Sequence, residues 1–153
     1  MRGVKRLVPI MAGLLAFAGC DRTPPEPLVT VEKAVVTLPV LPGRPGAAYF
    51  TLRTNNDPTR LTAISSPRIG RIELHETVSV NGVSRMTPLR EAVFGPDAPL
   101  TFEPGGGHAM LFEIDPSVRV GATVPITFSF EPAPPVTVEA QVRAAGDVGH
   151  GGH

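Results

Sequence analysis

The sequence is poor in the residues that most often carry catalysis or thiol chemistry. It has one cysteine, Cys20, no tryptophan, one tyrosine, four histidines and four methionines. A single cysteine excludes a disulfide within the chain, and the lack of further thiols suits an oxidising compartment. Because Cys20 lies ahead of the predicted domain, a blue-copper centre is also excluded, since such a centre needs a Cys thiolate beside two histidines. No nucleophile-elbow motif is present, and we expect no enzyme.

Long apolar runs are also lacking, apart from one near the N-terminus. Residues 7–18 form an apolar run of about a dozen residues behind a basic segment, which is too short to span a bilayer and predicts a secretory signal over residues 1–19. The run Phe17-Ala18-Gly19-Cys20 resembles a bacterial lipobox, with Phe17 where Leu is usual. It predicts lipidation of Cys20 and a membrane-anchored lipoprotein that faces the periplasm. The alternative is an ordinary signal peptide and a soluble periplasmic protein.

Neither charge sign is in excess over the full chain, which has 14 basic and 14 acidic residues. Loss of Arg2, Lys5 and Arg6 with the leader leaves 11 basic against 14 acidic residues, a net charge of −3. With no basic block, nucleic acid is not an expected partner. Residues 20–27 form a Pro-rich tether, and the 134 residues from Cys20 onward match one domain in size.

Short runs rich in Val, Ile, Thr and Phe, separated by Pro and Gly, fill residues 28–142, and none sustains a helical period. This pattern predicts an all-β sandwich or barrel of short, mainly antiparallel strands. A flexible Gly/His tail is expected over residues 143–153. The predicted strands are Val29–Val36, Ala47–Arg53, Arg60–Ser65, Arg71–Val80, Val83–Arg90, Leu100–Phe102, His108–Ile114, Thr123–Phe130 and Val136–Val142.

The dipeptide Asn81-Gly82 predicts a hairpin with a two-residue loop. That loop pairs Val80 with Val83, which places Met86 opposite Thr77 and makes His75 its diagonal neighbour. Strand alternation then puts His75 and Met86 on the polar face, accessible to a ligand.

Soft, neutral metal ligands concentrate at four positions: His75, Met86, His108 and Met110, spaced His-x10-Met-x21-His-x-Met. They include every methionine of the predicted domain and both histidines outside the tail. Thioethers select Cu(I) and imidazole suits copper, whereas zinc favours Cys, His and carboxylate. Each residue alone has an ordinary explanation; Met110, for example, could fill a gap in the core. A copper site requires that the His75/Met86 pair and the His108/Met110 pair meet in space.

This pattern resembles the H(M)x10Mx21HxM signature of the PCuAC family of periplasmic copper chaperones. Further similarity runs through residues 47–53, 64–67, 71–76, 83–86 and 104–111. Many members of that family carry additional methionines where this chain has Thr77 and Phe112. The tail histidines His150 and His153 resemble a reduced form of the His/Met-rich extension of some members.

The resemblance implies a cupredoxin-like fold that binds one Cu(I) per chain and delivers it toward cytochrome c oxidase. The partner would be a copper acceptor such as oxidase subunit II or a Sco-type protein, and the chain is expected to be a monomer. His150 and His153 are a weaker Cu(II) candidate, because their Gly spacing provides no preorganisation. The alternative function is that of a metal-independent β-sandwich lipoprotein of the envelope that binds another protein.

Overall fold

Ten β-strands and no helix make up the regular structure of residues 28–55 and 58–147, which this computed structural model describes. The predicted all-β class is therefore confirmed. The signal peptide, Cys20, the tether, His150 and His153 lie outside the described residues. The strands are β1 (Val29–Thr37), β2 (Gly46–Thr54), β3 (Thr59–Ser65), β4 (Ile69–Val80), β5 (Val83–Pro88), β6 (Ala92–Phe94), β7 (Leu100–Phe102), β8 (His108–Ile114), β9 (Thr123–Glu131) and β10 (Val136–Arg143).

The strands form one sheet in the order β5-β4-β8-β2-β1-β10-β9-β3-β6, and β7 pairs with β2. The pairing of β1 with β10 is parallel and every other pairing between these strands is antiparallel. The sheet curls over a single apolar core, so that β3 contacts β4, and β6 contacts β2 and β7. Within the described residues, no helix is long and apolar enough to cross a membrane.

Alternation along β2, β4 and β8 divides this part of the sheet into a core face and an outer face. The core face carries buried apolar side chains: Ala48, Phe50, Leu74, Ala109 and Leu111. The Phe50 ring stacks on Phe102 with centroids 4.6 Å apart and meets Phe128 edge-on at 4.8 Å. Burial of these groups supplies the hydrophobic stabilisation that holds the three strands in register. The outer face is free to carry polar and sulfur-containing side chains.

The predicted hairpin is confirmed, with Val80 opposite Val83 and Thr77 opposite Met86. Asn81 and Gly82 have φ values of 53° and 78°, the pair of positive values that a type I′ turn requires. The strand ends at Pro88 rather than at Arg90, and one further bond of the same register, from the Leu89 N–H to the Leu74 carbonyl at 2.8 Å, follows it.

Gly70 and Glu113 lie across from each other near the far end of the pairing of β4 with β8. Glu113 has a φ of 56° and lies beside Gly70, where an added Cβ would come within 2.5 Å of the Glu113 carboxylate. Gly70 therefore leaves room for the Glu113 side chain of the neighbouring strand. One register holds the two strands together, from Ile69 opposite Ile114 to His75 opposite His108.

Candidate metal centre

The pairing of β4 with β8 brings the two His/Met pairs together. His75 lies directly opposite His108, and Glu73 lies opposite Met110. The two imidazole rings stack with their centroids 6.0 Å apart and an interplanar angle of 22°. The hairpin then adds Met86 from β5, opposite Thr77 on the strand that carries His75. The structure thus places all four candidate ligands on the outer face of neighbouring strands.

An open cavity of about 450 Å³ lies over this face. Met86, His108 and Met110 line it together with Thr77 and Tyr49. Its remaining walls come from the end of β1, the start of β2 and the loop between them, from the loop before β8 and from the C-terminal turn, through Thr37, Leu38, Pro39, Pro45, Gly46, Ala47, Pro104, Gly105 and Ala145. The cavity is wide enough for a small ion and the side chain of a partner.

His75 does not line this cavity, and its predicted accessibility is wrong. Its side chain is 12% exposed, because it lies between β5 and β8 with the His108 ring stacked against it. His108 is also buried, at 9% exposed. Of the two imidazoles, the one that a ligand entering from the cavity would meet is therefore that of His108.

Each imidazole has one nitrogen occupied and the other available. The Nε2 of His75 lies 3.3 Å from the Glu73 carboxylate, whereas its Nδ1 is buried and has no hydrogen-bond partner within the described residues. In the neutral ring, Nε2–H donates to the carboxylate and Nδ1 keeps its lone pair. A buried acceptor without a partner costs free energy, and a metal ion at Nδ1 would remove that cost.

His108 is held in the opposite tautomer. Its Nδ1 lies 3.3 Å from the Gly106 carbonyl, to which a neutral ring donates Nδ1–H, and Nε2 then keeps the lone pair. The Pro104–Gly107 turn supplies this carbonyl, and it is closed by a bond of 3.0 Å from the Gly106 N–H to the Glu103 carbonyl. A carboxylate or a carbonyl on the second ring nitrogen is the usual way in which proteins orient a metal-binding histidine.

The Glu73 carboxylate beside His75 is kept ionised by its surroundings. The hydrogen bond with His75 and the adjacent Arg71 guanidinium hold the pKa of Glu73 below its ordinary value, against the opposing effect of partial burial. Tyr49 has the reverse shift, since burial raises the pKa of its phenol. At neutral pH the cavity therefore has a neutral phenol on its wall and a fixed negative charge behind His75.

The two thioethers differ in exposure. Met110 is half-buried opposite Ala47 in the middle of the sheet. Met86 is 61% exposed on the edge strand β5, all of whose residues are exposed. Of the two positions where the chain lacks an additional methionine, Thr77 lines the cavity, whereas Phe112 packs under the Arg71 guanidinium at 3.9 Å. An extra thioether is therefore lacking both within the cavity and beside it.

The donor set fits copper(I) better than zinc. Between residues 28 and 147, without the undescribed 56–57, no group of three or more His, Cys, Asp or Glu side chains is placed to hold a metal. The same outer face of neighbouring strands carries instead two imidazoles and two thioethers, which are the soft, neutral donors that suit Cu(I). Glu73 and Tyr49 were not predicted as site residues. For Glu73 a signal was available, because residues 73 and 75 share a strand face.

Comparison with known proteins finds a matching protein family and solved structures that share this fold. A family model described as "Putative lipoprotein LpqE-like" matches residues 29–142. The structure resembles the copper-bound PCuAC domain from PmoF2 with a TM-score of 0.63 and 23% sequence identity, over 76% of this chain and 93% of that chain. This likeness confirms the cupredoxin-like fold class.

A second solved protein covers more of the chain. The solution structure of apo-DR1885 from Deinococcus radiodurans matches with a TM-score of 0.59 and 26% identity, over 94% of this chain and 97% of that chain. The Cu(I) form of the same protein matches with a TM-score of 0.54 and 23% identity, over 84% and 85% of the two chains.

Among curated sequences, the chain is 36% identical over 87 residues to "Uncharacterized protein RP573" of Rickettsia prowazekii (strain Madrid E). That alignment covers 56% of this chain and 48% of the relative, so the chain spans about half the length of the curated relative it matches.

Proposed function

The chain belongs to the LpqE-like family, and on that premise we propose that its domain is a metallochaperone that holds one Cu(I) ion at His75, Met86, His108 and Met110. One observation carries the proposal. One buried and one partly buried imidazole, each with one nitrogen committed to a hydrogen bond and the other keeping its lone pair, lie on one face with two thioethers. Solved structures titled as copper-bound PCuAC and CuI-DR1885, which share the fold, support the same metal.

The ligand types suit transfer rather than storage. Imidazole and thioether are neutral, so they hold Cu(I) without the charge attraction that a thiolate adds, and they do not form disulfides in an oxidising compartment. Met86 is exposed on the edge strand, where an incoming donor can replace it first. His75 and His108 lie deeper and would release the ion last.

The resemblance and the sequence also supply a setting for this chemistry. We propose that the protein faces the periplasm, tethered through lipidated Cys20, and that it passes copper to an acceptor such as cytochrome c oxidase subunit II or a Sco-type protein. A weak Cu(II) site at His150 and His153 is part of the same proposal. Mass spectrometry of the mature N-terminus tests whether Cys20 carries a lipid. An N-terminus without a lipid would favour a soluble periplasmic protein.

Anaerobic titration with Cu(I) against a competing chelator tests the site. The wild type should saturate near one equivalent, and X-ray absorption should report both nitrogen and sulfur scatterers. His108→Ala and Met86→Ala should each weaken binding by more than the roughly 10–100-fold typical of changes behind a metal ligand.

Ser84→Ala is the matched control, since Ser84 lies on the same edge strand two residues from Met86 and outside the cavity lining. Unchanged affinity in both ligand variants would overturn the assignment. A folded wild type that binds no Cu(I) would favour the metal-independent binding module instead.

A further inference from the structure

A second cleft adjoins the copper cavity. It has a volume of about 600 Å³, and it shares Leu38, Pro39 and Pro45 with the copper cavity as common walls. Its floor includes Arg71 of β4 and Phe112 of β8, which are opposite residues. By strand alternation they lie on the same outer face as Glu73 and Met110. The two openings therefore form one continuous surface.

Three guanidinium groups line this cleft, those of Arg44, Arg71 and Arg119. Arg71 pairs with Glu73. Arg119 donates only to main-chain carbonyls, those of Pro116 and Val118, and within the described residues neither it nor Arg44 forms an ion pair with a carboxylate. Two positive charges in the cleft thus remain available.

The acidic side chains of the cleft offset these charges only in part. Asp115 accepts hydrogen bonds from the Ser117 N–H at 2.8 Å and the Ser117 hydroxyl at 2.6 Å, and its other oxygen lies 3.2 Å from Arg68. Its lone pairs are therefore largely committed. Glu113 is exposed and is the one other carboxylate of the lining. The cleft is locally positive on a chain whose segment from Cys20 onward is net negative.

An exposed apolar loop lies over the shared wall. Val40 is 81% exposed and Leu41 is 60% exposed, within a loop over residues 38–45 that contains three prolines, Pro39, Pro42 and Pro45. Proline restricts the backbone of the loop before binding, so the loop loses less conformational entropy when a partner binds. Large apolar side chains held out from a restricted loop are suited to anchor a protein partner.

We propose that loop 38–45 and the arginine cleft form the docking surface for the copper acceptor. The acceptor would be a protein that presents a surface carboxylate beside an apolar side chain. The carboxylate would bind Arg44 and Arg119, and the apolar group would pack on Val40 and Leu41. This inference rests on the proposed copper function. It explains how an acceptor is brought over Met86, because the two openings share a wall.

A second copy of this chain is a poorer occupant. A symmetric dimer through this surface would bring the same residues of both copies together. Arg44 and Arg119 would then face their own counterparts, and like charges at an interface oppose association. Complementary charge on a different protein avoids this repulsion.

The test compares copper transfer with copper loss. The probe is the soluble copper-binding domain of a bacterial cytochrome c oxidase subunit II, and the rate of transfer from the Cu(I)-loaded full chain is followed by stopped flow. In Arg44→Glu/Arg119→Glu we expect transfer at low salt to slow by about tenfold or more, since charge steering raises association rates by 10–10³. The deficit should shrink at high salt, and loss of copper to a small neutral chelator should be unchanged.

The matched control is Arg53→Glu/Arg90→Glu, which makes the same change in net charge at exposed residues outside both cavities. Val40→Ser/Leu41→Ser should slow transfer with little dependence on salt. Equal transfer rates for the cleft and control variants, or no transfer from the wild type, overturn the docking proposal. Failure of the copper function is distinguishable, because the wild type would then bind no Cu(I) in the chelator titration.

Discussion

Met110 and Leu111 are neighbours in β8, yet they lie on opposite faces of the sheet. Leu111 is fully buried among the core side chains, whereas Met110 lines the cavity over the outer face. The same alternation separates Leu74 on the core face from His75 on the outer face of β4, and Phe50 from Tyr49 in β2. Stability and the proposed metal binding are therefore assigned to interleaved residues of the same strands. Substitutions one residue apart should change one property and spare the other.

The largest expected effect is a loss of stability in Leu111→Ala. Truncation of a fully buried leucine removes apolar contacts and leaves a cavity, which typically costs about 2–5 kcal/mol. Urea denaturation of the apo protein should show this loss. Cu(I) affinity, measured where the variant is still folded, should remain close to that of the wild type. If Leu111→Ala kept wild-type stability but lost Cu(I) affinity, the assignment of stability to one face and of metal binding to the other would be contradicted.

Met110→Leu is the reciprocal change on the next residue. Leucine has nearly the volume of methionine, so the free energy of unfolding should change by less than about 1.5 kcal/mol. Loss of the thioether should nevertheless lower Cu(I) affinity by about tenfold or more, because leucine offers no donor atom for the metal. Sulfur scattering in X-ray absorption should fall in parallel. Wild-type affinity would exclude Met110 from the ligand set.

Glu73→Gln changes the hydrogen-bond partner of the proposed ligand His75 and leaves His75 itself in place. An amide oxygen still accepts from His75 Nε2–H but lacks the negative charge that raises imidazole basicity. Cu(I) affinity should fall by about tenfold, at the lower end of the 10–100-fold range for such partners. Glu76→Gln is the control, since residue 76 lies on the same strand but on the opposite face. Equal affinities for the two variants would contradict the role of Glu73.

The smallest effect, on the pH dependence of stability, is expected from substitution of Asp115. This residue lies just beyond the end of β8 and belongs to neither face of the sheet. Hydrogen bonds from Ser117 and the charge of Arg68 hold the pKa of Asp115 below its ordinary value. The carboxylate therefore contributes stability above the pKa of the unfolded chain and loses it as pH falls through the lower folded value. Asp115→Asn should flatten the acid limb of the stability profile below about pH 4, leaving copper affinity at neutral pH unchanged.

Local sequence signals predicted most of the fold. Each of the nine predicted runs corresponds to a strand, and the Asn81-Gly82 turn fixed the register of its hairpin correctly. The missed strand, β6, consists of the three residues Ala92–Phe94. Its existence depends on pairing with β3 rather than on a pattern of its own.

The residues of the candidate site were predictable from the sequence, but the burial of their side chains was not. Spacing identified the four candidate ligands, and alternation placed each His/Met pair on one face. That the pairs converge depends on the pairing of β4 with β8, which joins His75 to His108 across 33 positions of sequence. No local rule specifies a partner strand at that distance. For the same reason, the burial of His75 under the His108 ring was not foreseen.

The end of β5 at Pro88 also bears on self-association. An edge strand with open main-chain groups is a template for strands of other molecules, and aggregation begins at such edges. Pro88 has no N–H to offer to a further strand, and two copies of β5 paired about Arg85 would oppose like charges. The edge that carries Met86 therefore exposes a side chain to a visiting protein but resists addition of another strand. Sedimentation at high concentration should accordingly find single chains, even with the metal face uncovered.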